Sequence, residues 1–335
     1  MPRHLLRASR LLALAPLVAL AACSGGDPSG GNAADEQLEV VSTVAPITSI
    51  AAQVGGDRVR LRGVVPEGTN SHTFEPPPSA AEVLSTADLV LLNGLELEDP
   101  TEELAQENKK DDAEIVKVGD AVLPESQYIY DFSFPKEDGK PNPHLWTDPL
   151  FAIRYAEVIR DSFTRKDPAN AAVYADNTRR FSEQTTQLSE ALKVDQTSVP
   201  QRELLTYHDA YAYFGRDYGW TILGAIQPSS FDEPTPAEVA GLIDQIRAEQ
   251  VPAIFGSEVF PSPVLEQIGR ETGARYVDTL RDDDLPGAPG EPEHSWQGLM
   301  RSNFVTMITA LGGQAPRLQA LQLGPTAPDS AQYPQ

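Results

Sequence analysis

From Ala169 to Asp195 the chain runs for about 27 residues without a glycine or a proline, long enough to make roughly 40 Å of helix at ~1.5 Å per residue. Tyr174, Thr178, Phe181, Thr185, Leu188 and Leu192 recur at alternating spacings of four and three, which lays one apolar stripe along that helix and leaves its other faces polar. Such a helix either packs on a single sheet or runs the height of two lobes. The stretch itself leaves both open. With 335 residues the chain is too long for one small domain and suits two lobes of ordinary size.

On each side of this helix, strand-like and helix-like segments alternate. Before it, LEVVSTV, VRLRGVV, DLVLLN and EIVKV are rich in β-branched and aliphatic residues and read as strands; after it, ELLTY, TILGAI, PAIFGSE and ARYVD do the same. Helix starts fall between them. Ser79-Ala80-Ala81-Glu82 and Thr235-Pro236-Ala237-Glu238 both have the form of a capping box, the second with proline at the first helical position, and further helices follow His208, Ser262 and Ser295. This order predicts an α/β protein of two parallel-sheet lobes, 38–166 and 197–314, with the helix of 167–196 between them.

The two ends are different. Arg3, Arg7 and Arg10 precede an uncharged apolar run from Leu11 to Ala22, a signal peptide over 1–22 whose core of about twelve residues is too short to span a bilayer. The run ends at Cys23, the sole cysteine, which has no partner for an internal disulfide and reads as a lipid-attachment site. Residues 23–37 then make a flexible, glycine-rich tether. Residues 315–335, proline-rich and without periodicity, read as a disordered tail. The net charge is −23, and removing the signal takes away three arginines and no acid. That excess of acid argues against a nucleic-acid partner and draws cations from a distance.

After processing, four histidines remain: His72, His144, His208 and His294. His72 lies in GTNSHTFEPPPS between a strand and a helix. His144 lies in NPHLWTDP, where Asp148 and Pro149 are placed to start the next helix, and His208 directly follows ELLTY. Asp278 ends ARYVD in the same way, whereas His294 has no such position. In open α/β sheets, ligands bind in the crevice beyond the carboxyl ends of the strands. Three imidazoles and one carboxylate so placed make a coordination set suited to Zn²⁺, with Mn²⁺ or another first-row ion as the alternative.

The stretches SHTFEPPPS, NPHLWTDP, TYHDAYAYF and YVDTL, in this order and at these separations from about Glu39 to Leu311, resemble the motifs of the zinc and manganese solute-binding lipoproteins of ABC transporters. The resemblance implies two α/β lobes joined by one long helix, with a transported metal held between them by His72 and His144 from one lobe and His208 and Asp278 from the other. Glu75, Asp148, Asp209 and Glu258 lie beside these residues or at the end of PAIFGSE, where a carboxylate can accept from a metal-bound imidazole; Asp148 fits a helix cap equally well and Glu258 a rim position, while Trp146 packs under the site. Some members carry glutamate at the position of His208, which suits a harder ion; a third imidazole shifts the balance toward zinc. Many zinc-specific relatives insert a histidine-rich loop ahead of the PH motif. The equivalent YIYDFSFPKEDGKPN here has none, and offers only Asp131, Glu137 and Asp138 as capture groups.

The implied protein is a monomer held by the lipid on Cys23 to the outer face of the cytoplasmic membrane, periplasmic if an outer membrane is present, and it hands a divalent metal to an ABC permease. A surface interaction or adhesin lipoprotein is one alternative class; a siderophore or haem carrier is another, but it would need a broad cleft lined by aromatics or arginines in place of a small polar cage. A hydrolytic zinc enzyme keeps an open coordination position beside a general base, and no HExxH, G-x-S-x-G or glycine-rich phosphate loop occurs. The reading is therefore of a carrier and not an enzyme.

Overall fold

Leu89, Val90, Leu91 and Leu92 are all buried, as a strand covered by helices on both faces must be, and they sit inside the first of two parallel sheets. The computed structural model describes residues 37–227, 230, 234–257 and 263–334. The first sheet comprises β1 (Leu38–Ser42), β2 (Val59–Gly63), β3 (Leu89–Leu92) and β4 (Glu114–Lys117) in the order β2-β1-β3-β4. The second comprises β5 (Glu203–Thr206), β6 (Thr221–Ala225), β7 (Ala253–Phe255) and β8 (Arg275–Val277) in the order β6-β5-β7-β8. The two topologies are the same. Strand order reverses between β1 and β3 in one sheet and between β5 and β7 in the other, which opens a crevice at the carboxyl ends of those strands.

Helices α1 (Ala45–Gly55), α2 (Pro78–Thr86), α3 (Asp99–Asn108) and α4 (Val118–Val122) belong to the first lobe, followed by α5 (Pro149–Lys166). The long α6 (Ala171–Asp195) comes next, then α7 (Ala212–Tyr218), α8 (Pro236–Glu249), α9 (Pro263–Thr272), α10 (Trp296–Ala310) and α11 (Pro316–Ala320). The apolar stripe of α6 is buried, from Tyr174 through Phe181 and Leu188 to Leu192, against α1 and α5 on one side and α10 and α11 on the other. It therefore joins the lobes, and one continuous apolar core runs from Leu38 through Phe181 to Phe304. Polar ties reinforce it: Gln53 on α1 donates to Gln297 on α10 (2.8 Å), and the Trp296 amide donates to Ser49 (3.0 Å).

Three details differ from the sequence-based expectation. First, α6 begins at Ala171, because Pro168–Asn170 winds as a tight 3-10 turn in which Asp167 accepts from the Asn170 amide. Second, Ser79 caps nothing: Pro78 takes the first helical position of α2, Pro77 becomes the capping residue, and Ser79 is left inside the first turn. The Thr235–Glu238 capping box does form.

Third, the segment expected to be a disordered tail is structured as far as Pro334. The Asp195 carboxylate accepts from the Arg317 and Leu318 amides (2.9 Å each) at the start of α11. Further on, Gly63 donates to the Gln332 carbonyl and Gln332 donates to the Leu61 carbonyl (2.9 Å each), a short parallel pairing along the free edge of β2. A segment anchored by backbone bonds to a sheet edge needs no hydrophobic period. The signal peptide, Cys23 and all but Gln37 of the tether lie outside the described residues.

Candidate metal centre

His208 follows β5 by one residue, at the reversal point of the second sheet. Its Nδ1 lies 2.7 Å from Gln227 Oε1, an acceptor, so Nδ1 carries the proton and the Nε2 lone pair is free. His144 is fixed in the same manner by its neighbour. Asn142 Oδ1 accepts from both the His144 amide (3.1 Å) and His144 Nδ1 (2.9 Å), again leaving Nε2 as the acceptor nitrogen. The Asn142 amide group donates in turn to the Asp209 carbonyl (2.7 Å) and to Asp131 (3.1 Å), so one side chain orients His144 and links the lobes. Trp146 packs edge-on against His144, with ring centres 4.9 Å apart.

His72 arrives on the loop between β2 and α2, which the second lobe holds through an aspartate run. Ser71 Oγ donates to Asp283 (2.6 Å) and the Gly68 amide donates to Asp284 (2.8 Å). The first member of that run, Asp282, turns toward the histidines: its Oδ2 is 3.5 Å from His208 Nε2, and its main-chain carbonyl accepts from the Trp146 indole (2.9 Å). All three aspartates are buried.

The three Nε2 atoms form a triangle with edges of 3.2 Å (His72–His144), 3.2 Å (His72–His208) and 2.8 Å (His144–His208). Four nitrogen or oxygen ligands arranged tetrahedrally at ~2.0–2.1 Å from a zinc ion are ~3.3 Å apart. The triangle is one face of such a polyhedron, slightly contracted, and Asp282 lies beside its His208 corner, 3.5 Å from that Nε2. Two lone pairs converging at 2.8 Å repel unless a cation lies between them. Among the described residues this is the one group of histidine, cysteine or acidic side chains gathered closely enough to hold an ion.

Burial pushes the His72 and His144 imidazoles well below the usual histidine pKa, and the neighbouring rings add to the effect. Both are therefore neutral at physiological pH, the form a metal requires. Close by, burial and the adjacent Asp209 carboxylate push Asp131 up to about 9. Asp131, half-buried and accepting from Asn142, sits behind the histidines and is not an exposed capture group.

Of the residues expected from sequence, His72, His144 and His208 come together and Asp278 does not. Asp278 is exposed. Val277 ends β8 with its side chain buried, and strand alternation sends the next side chain to the solvent face. The chain reaches the site only at Asp282.

The supporting residues fare differently. Glu75 is exposed, and Asp148 caps α5 by accepting from the Leu150 amide (2.7 Å). Asp209 contributes through its carbonyl to Asn142 and through its carboxylate to the Ser133 amide (3.1 Å). Glu258 lies outside the described residues. Sequence reasoning missed Asn142, Gln227 and Asp282. Asn142 stands inside the quoted NPHLWTDP motif and the run of three aspartates was visible, but nothing in the sequence marks Gln227.

Residues 40–310 match the family model described as zinc-uptake complex component A, periplasmic (ZnuA). The chain belongs to this family. Similar curated proteins include the manganese-binding lipoprotein MntA of Halalkalibacterium halodurans, 26% identical over 87% of this chain and 94% of that protein. The iron-binding protein YfeA of Yersinia pestis is 29% identical over 90% of this chain and 94% of its own. Among solved structures, a periplasmic metal binding protein from Candidatus Liberibacter asiaticus superposes with a TM-score of 0.70 at 26% identity, covering 82% of this chain and 100% of that one. The periplasmic zinc binding protein TroA of Treponema pallidum shares the fold, with a TM-score of 0.73 at 24% identity over 82% of this chain and 99% of that one. The joined-lobe architecture expected from the sequence is thus that of the family. Among the described residues no helix is long and apolar enough to cross a membrane.

Proposed function

We propose that the protein captures a divalent transition metal, zinc before manganese, outside the cytoplasm and delivers it to a membrane ABC permease. His72, His144, His208 and Asp282 are the ligands. The observation that supports this most strongly is the pair of amide oxygens, on Asn142 and Gln227, that tie down two Nδ1 protons and leave the Nε2 atoms of His144 and His208 gathered with that of His72. Three imidazoles and one carboxylate favour zinc over a harder ion. With four protein ligands the ion has no open position for a reacting water, which suits carriage over hydrolysis.

Acylation of Cys23 would keep the protein, as a monomer, at the outer face of the cytoplasmic membrane near its permease. The apolar core shared by both lobes restricts hinge opening, so release calls for movement of loops around the site. Native mass spectrometry of the chain beginning after Cys23, chelated and then offered Zn²⁺ and Mn²⁺ together, tests the reading. One zinc per chain, retained by the parent and weakened in His144→Ala, is the expected result. Preferential manganese loading would keep the carrier and overturn the zinc preference. No metal on the parent protein would overturn the carrier and leave the adhesin class.

A further inference from the structure

The histidine cluster has an apolar cover. Phe134, 5% exposed, lies with its ring centre 5.4 Å from that of His72 and 5.7 Å from that of His144. It belongs to the long connection between α4 and α5, a first-lobe segment, yet the residue before it is fastened to the second lobe. The Ser133 amide donates to the Asp209 carboxylate (3.1 Å) and Ser133 Oγ donates to the Gln227 carbonyl (2.7 Å). Asp209 adjoins His208, and the Gln227 side chain holds the His208 ring. The segment that carries Phe134 is therefore pinned to the two residues that flank one of the proposed ligands.

On the outer side of Phe134 lies a cavity of about 260 Å³ that reaches His72. That is room for several waters, and so for an ion still carrying part of its hydration shell. Leu95 and Leu97 form one wall, and Glu96 and Asp138 bring acid to it. Lys140, also in the lining, is shared between Asp99 at 2.9 Å and Glu96 at 4.0 Å, which leaves Asp138 as the lining acid outside these pairs. The leucine wall is a constrained turn: Gly94, Leu95 and Glu96 all have left-handed φ, at 81°, 52° and 61°. Glu98 locks this turn by accepting from the Asn93 amide (2.7 Å) and the Gly94 amide (3.1 Å). One side of the cavity is thus rigid, and the other is the Ser133–Phe134 segment.

We infer that this cavity is the path by which metal reaches and leaves the histidines, and that Phe134, latched by Ser133, is its gate. The inference rests on the metal-carrier reading. A phenyl ring cannot ligate the ion; beside His72, which the cavity already reaches, it screens the buried His144 and His208 when closed, and must swing aside for a hydrated ion to exchange its waters for their nitrogens. Such a residue sets rates in both directions and leaves the equilibrium nearly unchanged.

The test is stopped-flow zinc association, and dissociation into excess chelator, for the parent protein, Phe134→Ala and Ser133→Ala, alongside equilibrium affinity. Phe134→Ala is expected to raise both rates by tenfold or more with affinity shifted less than threefold. Ser133→Ala, which keeps the ring and removes one latch bond, should raise both by a few fold. Rates within twofold of the parent in both variants would overturn the gate. So would a faster dissociation with unchanged association, which would make Phe134 a packing residue of the bound state. A parent protein that takes up no zinc would instead overturn the carrier reading itself, so the two failures are distinguishable.

Discussion

Asp282→Asn and Asp278→Asn together decide where the fourth ligand lies. The asparagine at 282 keeps the size of the side chain, the main-chain carbonyl that accepts from Trp146 and an oxygen able to accept from Ser257 Oγ, now at 3.1 Å. It removes the negative charge that faces His208 Nε2 from 3.5 Å. Loss of a group that merely supports a metal ligand lowers affinity ten- to a hundredfold, about 1.4–2.7 kcal/mol. Loss of a ligand's charge should exceed that range, so tenfold is a floor. Asp278 is exposed, and a neutralising change there belongs with surface substitutions worth within about 0.5 kcal/mol, roughly twofold in affinity. Competition with a zinc chelator at neutral pH measures both, and thermal unfolding of the chelated proteins verifies that each variant keeps its fold. If Asp278→Asn weakened zinc more than tenfold while Asp282→Asn stayed within twofold, the geometric assignment would be refuted.

Three further outcomes are expected. Gln227→Leu should lower zinc affinity ten- to a hundredfold by freeing the His208 ring, whereas Asn142→Leu should in addition reduce urea stability by about 1–3 kcal/mol, since it leaves the Asp209 carbonyl without its donor; equal stability of the two variants would contradict the lobe-linking role. Because the folded pKa values of His72 and His144 lie below the usual 6.5, metal-free protein at pH 6.5 should show both rings neutral by nitrogen NMR. The unfolded chain takes up those protons first, so both residues withdraw stability as pH falls below 6.5, and two half-protonated rings at that pH would disprove the burial argument. Truncation after Gly324 removes three backbone bonds to the β2 edge and its following loop, as well as the half-buried Tyr333 packed on His294. The expected loss is about 2–4 kcal/mol in urea unfolding; an unchanged midpoint would mean that the segment does not hold in solution.

Local patterns along the chain determined much of this protein. Aliphatic runs marked all eight strands of the two sheets, most plainly the inner β3 and β7, which are buried throughout because both of their faces are covered. The period of α6 marked its buried stripe, and the motifs around His72, His144 and His208 marked the three histidines that converge. What the sequence could not determine was whatever depends on where separate segments meet. Asp278 and Asp282 are four residues apart by their numbers and both follow β8; only the path of the chain after the strand puts one in solvent and the other beside His208. Gln227 lies 19 residues from the ring it orients, and Gln332 pairs with a strand edge near the other end of the fold. Hydrogen bonds made across such separations have no period and no composition bias, so only the tertiary structure decides them.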